Sequence, residues 1–137
     1  MKKEIPDVPD YEAIKPRAVL MIEVGGKRFY ASFEGNPAAS AFTEKLNSGA
    51  LTVDVCDRGG LEKTGPLPYN LPQSDKEITT TPGDVILYNE NRIALCCGEA
   101  EKNCTRLARI GNVTKEKLLE ALGTGGAQVT FSLEWSE

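Results

Sequence analysis

The chain contains no histidine. That removes the Ser-His and Cys-His nucleophile systems, in which an imidazole carries the proton. It also removes the usual zinc ligand sets, because none of the four cysteines (Cys56, Cys96, Cys97, Cys104) forms a Cys-x-x-Cys pair. No metal and no cofactor is expected, and the thiols are read as packed and reduced, since free cysteine behaves as a small hydrophobe. Basic surplus is missing too. The formal net charge is −4, which argues against nucleic acid or an anionic membrane as partner. No apolar run approaches the ~20 residues that a membrane span needs. Lys2 and Lys3 are followed by Pro6, Asp7, Pro9 and Asp10, where a signal peptide would need an apolar stretch, so a cytoplasmic protein is expected. Internal repeats and low-complexity segments are absent as well.

What is present reads as one domain, long enough at 137 residues to bury a core. Residues 1–16 are polar, rich in proline and acid, and without period, which predicts an extended arm; residues 17–137 form the domain. Ala18–Val24 and Lys27–Glu34 make a hairpin around Gly25-Gly26, a pair that suits a type I′ turn. The turn sets Val24 opposite Lys27, Glu23 opposite Arg28 and Ile22 opposite Phe29. Leu20, Ile22, Phe29, Ala31 and Phe33 then share the core face. Asn36-Pro37 opens a first helix, with Ala38, Ala41, Phe42 and Leu46 as its apolar stripe and Gly49 as its stop. Ala50–Cys56 alternates as a strand. Residues 57–83 carry Gly59-Gly60, Pro66, Pro68, Pro72 and Pro82-Gly83, and read as a long irregular stretch. Val85–Tyr88 and Arg92–Cys97 form a second hairpin around Asn89-Glu90-Asn91. Leu107–Asn112 is a short strand, and Thr114 caps a second helix that buries Leu118, Leu119 and Leu122 and stops at Gly123. Gln128–Trp135 alternates throughout, with Val129, Phe131, Leu133 and Trp135 on one face. The fold class is mainly β: antiparallel strands closing into a barrel capped by two short helices, since closure removes exposed edges.

Few residues announce chemistry. Gly123-Thr124-Gly125-Gly126 has the composition of a phosphate loop, but it leaves a helix and enters a strand, the reverse of what an anion site needs. It is read as a helix cap and turn. The sequons Asn103-Cys104-Thr105 and Asn112-Val113-Thr114 carry no weight without a secretory route. The acid pairs Asp54 with Asp57 and Glu99 with Glu101 are expected on the solvated surface. Arginines Arg58, Arg92, Arg106 and Arg109 are candidates to clamp a carboxylate or a peptide carbonyl at a barrel mouth, against the bland reading of surface charge. The apolar side of Leu67, Pro68, Tyr69, Leu71 and Pro72 either covers the barrel or borders a groove, which Tyr69 and Tyr88 would then line.

The order of these segments resembles the cyclophilin-like fold, in particular a group of small bacterial proteins described as cyclophilin-like domains. The marks are Lys27-Arg28-Phe29-Tyr30-Ala31, Asn36-Pro37 with Phe42, and Leu67-Pro68. They continue with Pro82-Gly83-Asp84-Val85-Ile86-Leu87-Tyr88, Thr105-Arg106-Leu107-Ala108-Arg109-Ile110 and Leu118-Leu119-Glu120-Ala121-Leu122-Gly123, and they span Ala18 to Glu134. The resemblance implies an eight-stranded barrel with a helix at each end. True cyclophilins isomerise X–Pro bonds, against a barrier of about 18–20 kcal/mol set by amide resonance, with an arginine from a Phe-His-Arg segment donating to the prolyl nitrogen. The comparable stretch here is Val53-Asp54-Val55-Cys56-Asp57-Arg58, which lacks that segment, and the chain has no histidine and a single tryptophan.

The expectation is therefore a cyclophilin-like domain that binds a peptide or small ligand in a groove on the barrel. Ligand-binding candidates are Tyr69, Tyr88, Arg106 and Arg109. An unconventional prolyl isomerase using Arg58 or Arg92 is the alternative, and a protein-interaction module docking through its apolar loop is the third reading. The oligomeric state is left open.

Overall fold

The structure, a computed structural model, describes residues 17–123 and 125–136. The N-terminal arm, Thr124 and the Trp135 side chain lie outside the described residues. Among these described residues, nine strands and two helices follow in the order β1 (Arg17–Val24), β2 (Lys27–Phe33), α1 (Pro37–Asn47), β3 (Leu51–Arg58), β4 (Glu62–Pro66), β5 (Lys76–Thr80), β6 (Asp84–Tyr88), β7 (Arg92–Cys96), β8 (Ala100–Ile110), α2 (Lys115–Leu122) and β9 (Ala127–Ser136). No helix among the described residues is long and apolar enough to cross a membrane.

Strand pairing runs β2-β1-β9-β3-β4-β7-β6-β8, and β8 then pairs back onto β2. Eight strands therefore close on themselves, all antiparallel, and the barrel expected from the strand pattern is present. The ninth, β5, hangs outside the ring. It pairs only with the first half of β8, from Ala100 to Cys104, while the second half of β8 completes the barrel.

The first hairpin shows how local sequence fixes global register. Gly25 and Gly26 have φ of 60° and 78°, the left-handed values that a type I′ turn requires. Val24 pairs with Lys27, Glu23 with Arg28 and Ile22 with Phe29, as the turn predicts. Gly25 has a second reason to be glycine: a Cβ there would lie 2.3 Å from the carbonyl oxygen of Ala121 in α2. The chosen face then packs inward. Leu20, Ile22 and Ala31 are buried, with Phe29 and Phe33 against them.

Both helices plug the barrel with their apolar stripes. Asn36 caps α1 by accepting from the Ala39 amide (2.8 Å), and Pro37 occupies the first turn. Helix α1 buries Ala38, Ala39, Phe42 and Leu46; the Phe42 ring meets Phe131 of β9 edge-on, with centroids 5.9 Å apart. Thr114 caps α2 by accepting from the Lys117 amide, and Gly123, at φ 80°, ends it by donating to the Leu119 carbonyl (2.8 Å). The interior is one continuous cluster running from Leu20 to Phe131.

Three expectations need correction. The stretch 57–83 is not irregular throughout, since β4 and β5 lie inside it. The sequence Glu-Lys-Thr-Gly-Pro of β4 has no apolar alternation, yet Glu62, Lys63, Thr64 and Gly65 are all buried. Likewise the strand expected at Leu107–Asn112 begins at Ala100, and its early half carries β5. Among the thiols, Cys96, Cys97 and Cys104 are buried and free, but Cys56 is exposed rather than packed.

Candidate functional site

Outside the ring, β5 and the first half of β8 fold over β6 and β7. Ile86, Ala94, Cys96 and Cys104 form a second, small apolar cluster there, closed by Ile78 and Tyr88. Strand alternation makes this possible. Cys96 points into the outer layer while Cys97 joins the barrel core. Burial pushes the Cys104 thiol up to about 11, and drives Cys96 upward further still with help from the charge of Glu62. Both are inert structural thiols.

Beside this cluster sits a polar one. Glu62, at the start of β4, is 1% exposed. The Tyr88 hydroxyl donates to its Oε2, and Lys102 Nζ lies 3.3 Å from its Oε1. Arg58 Nε is 3.9 Å from Oε2, an i,i+4 pair spanning the β3–β4 turn. The Arg58 guanidinium also stacks over the Tyr88 ring, 5.6 Å from its centroid, with Nη1 reaching the hydroxyl at 3.5 Å. Thr64 Oγ1 stands 3.4 Å from the same hydroxyl. Burial raises the Tyr88 phenol above its ordinary value, and its hydrogen bond to Glu62 raises it further, so it stays a donor. Glu62 Oε1 has a nearby cation but no hydrogen bond of acceptable geometry.

Above this buried carboxylate opens a cleft of about 270 Å³, lined by Arg58, Tyr88, Asn89, Lys102 and Asn103. Among the described residues no acidic side chain lines it. Its rim includes backbone held in an unfavourable conformation: Asn89 and Glu90 have φ of 56° and 64°. Such residues persist where the surroundings over-determine them. Here the Leu71 amide donates to the Glu90 carbonyl and the Leu67 amide to the Asn91 carbonyl, both at 2.7 Å. The proline-rich loop 67–72 thus fastens the turn that carries Asn89. Two other grooves are shaped differently. One, lined by Glu77, Ile78, Thr79 and Glu101, is acidic. The other, about 280 Å³, lies between β2 and the start of α2 and includes Phe29, Tyr30 and Lys117.

Of the residues singled out in the sequence, the structure brings Arg58 and Tyr88 together. The others lie elsewhere. Tyr69 is half-buried against the barrel core, with Lys45 Nζ 5.1 Å over its ring; Leu67 and Leu71 are buried, so this loop covers the barrel. Arg106 and Arg109 both grip Asp84, at 3.5 Å and 2.8 Å; Asp84 is fully buried and also accepts from the Thr81 amide. The bond to Asp84 holds the Arg109 guanidinium above its ordinary value. Arg92 opens β7 opposite Tyr88 and Pro66 but does not line the cleft. Asp54, Asp57, Glu99 and Glu101 are exposed, as expected of surface acids. No group of three or more metal-ligating side chains occurs among the described residues.

The model of the cyclophilin-like family matches residues 22–134. The chain belongs to the cyclophilin-like family. Neither a curated protein nor a solved structure gives a significant match. Within this cyclophilin-like barrel, Val53–Arg58 falls in β3 and ends at the cleft. An arginine is therefore present at the strand end, without the Phe-His that precedes it in true cyclophilins.

Sequence reasoning missed Glu62, Lys102 and the Asn89–Asn103 rim. Nothing local marks Glu62 as buried: it follows the Gly59-Gly60 turn and an exposed Leu61, and its partners Tyr88 and Lys102 come from β6 and β8. It also missed Lys63, whose side chain is 1% exposed and whose ammonium donates to Asp57 Oδ1 (3.2 Å) and the Gly125 carbonyl (3.1 Å). Its aliphatic stem lines the barrel and its head reaches the rim.

Proposed function

We propose that this cyclophilin-like domain is a ligand-binding module whose cleft over Glu62 takes a short peptide segment or a small ligand. The observation that carries this reading is the convergence of Arg58, Tyr88, Asn89, Lys102 and Asn103 on one concave site above a buried carboxylate. Buried charge is costly and is held only with partners. Glu62 fixes two cations and a phenol, and leaves their remaining donors facing the cleft. Arg58 has further N–H groups and Lys102 further protons, while the Asn89 and Asn103 amides can both donate and accept. Pre-positioned donors of that kind suit carbonyl and carboxylate groups.

Isomerisation is the second reading, and Arg58 favours it. Its guanidinium is steadied by the Tyr88 ring, beside the cleft, as a donor to a prolyl nitrogen must be. Against it, among the described residues the lining offers only the Tyr88 ring as an apolar surface for a proline. The free cysteines suit a reducing compartment, which supports a cytoplasmic setting.

The test is an NMR titration with acetyl-Ala-Pro-Ala, followed through backbone amides. Shifts grouped at residues 58, 88–89 and 102–103 are expected. Exchange spectroscopy on the same sample separates the two readings. Faster cis/trans exchange that is lost in Arg58→Ala makes the protein an isomerase; binding without acceleration leaves it a binder. Saturating peptide with no shifts around the cleft refutes the proposal.

A further inference from the structure

The charge balance of the cleft narrows its ligand. Resting on the binding reading above, we infer that the cleft recognises a carboxylate, seated between the Arg58 guanidinium and the Lys102 ammonium. Two cations face the cleft, and one carboxylate, Glu62, is shared between them from below. Among the described residues that leaves one positive charge over, in a chain whose net charge is −4. The nearby acids of the β5–β8 layer, Glu77 and Glu101, line a separate groove and do not offset it. Asp57, next to Arg58 in sequence, engages Lys63 instead.

Geometry points the same way. Glu62 is 1% exposed, so it holds the cations in place without presenting its own charge to the cleft. The guanidinium of Arg58 lies over the Tyr88 ring and reaches its hydroxyl through Nη1 at 3.5 Å, two contacts that keep it beside the cleft. Lys102 is 28% exposed on its strand and stands across Glu62 from Arg58. An uncharged ligand would leave the surplus charge uncompensated, and a cationic ligand would meet two like charges. A carboxylate completes an alternating row of cation, anion and cation. A chain terminus and an acidic side chain carry the same group, so the inference covers both.

Three peptides test it: acetyl-Ala-Pro-Ala with a free C-terminal carboxylate, the same peptide as its carboxamide, and acetyl-Ala-Glu-Ala carboxamide. Amide shifts at residues 88–89 and 102–103 locate each one. The account predicts that the free acid, the glutamyl peptide or both bind at least about tenfold more tightly than the neutral carboxamide. It also predicts a loss of about tenfold in the Arg58→Gln and Lys102→Gln variants, each checked for native spectral dispersion. Affinity of wild-type protein should fall with added salt, a readout that needs no variant. Equal binding of all three peptides at the cleft would overturn the carboxylate inference and leave the binding site standing. Shifts elsewhere, or none, would overturn both.

Discussion

Inside the ring, Leu20, Ile22, Val85, Leu107, Leu118, Val129 and Phe131 meet in one apolar cluster with hardly any exposed surface. Outside it, the layer formed by β5 and the first half of β8 buries only Ile86, Ala94, Cys96 and Cys104. The same layer encloses a buried carboxylate, two half-screened cations and a phenol. The barrel is built as a close-packed solid, where every methylene lost costs free energy. The outer layer has few apolar contacts and much polar structure, the composition expected of a region that opens locally. On the proposed reading, stability and recognition belong to different layers of one chain. Strand β8 joins them, since its two halves belong to the two layers.

The largest effect expected from breaking this contrast is in the interior. Phe42→Ala removes a fully buried ring packed on Phe131, and should cost about 3–5 kcal/mol in denaturant unfolding. Ile86→Ala is the matched change in the outer layer and should cost about 2 kcal/mol, because that layer collapses more readily onto a smaller side chain. Equal costs would mean that the outer layer is as rigid as the barrel, and the division would fail. Next comes Gly25→Ala. It forces a left-handed φ on alanine and drives a Cβ into the Ala121 carbonyl, so a loss of more than about 1 kcal/mol is expected, with α2 displaced.

A smaller effect sharpens the comparison from the outer side. The Cys104 thiol, ordinarily near 9.0, is held up to about 11 by burial. The folded state therefore keeps the proton that the unfolded chain releases first. The associated stability is fully present below about pH 9 and is lost as pH rises toward about 11. Cys104→Ala should flatten that alkaline decline in unfolding measurements between those pH values; an unchanged slope would place its origin elsewhere. The smallest effect belongs to Thr114→Ala, which removes the α2 cap and should cost about 1 kcal/mol in thermal unfolding without touching the cleft.

Much of the barrel was legible because its signals are local. Gly25-Gly26 dictates both turn and register, Asn36-Pro37 and Thr114 place the helix starts, and β9 alternates cleanly. The site was legible only as far as Arg58 and Tyr88, on charge and chemistry. Strand β4 was invisible because its residues are polar and are buried from two sides by other elements. Glu62 and Asp84 look like surface acids in the sequence; Arg58 is four residues from Glu62, but the other cations come from 40 residues away in Lys102, and from 22 and 25 away in Arg106 and Arg109. Strand β5 offers one apolar residue, Ile78, in five, too few to show a period.

The most direct test of the central claim, that the outer layer carries the binding site, is a crystal structure of the protein with acetyl-Ala-Pro-Ala. The account predicts the peptide over Glu62, with its carboxylate within hydrogen-bond distance of Arg58 and Lys102. A peptide seated instead in the groove of Phe29, Tyr30 and Lys117 would contradict it.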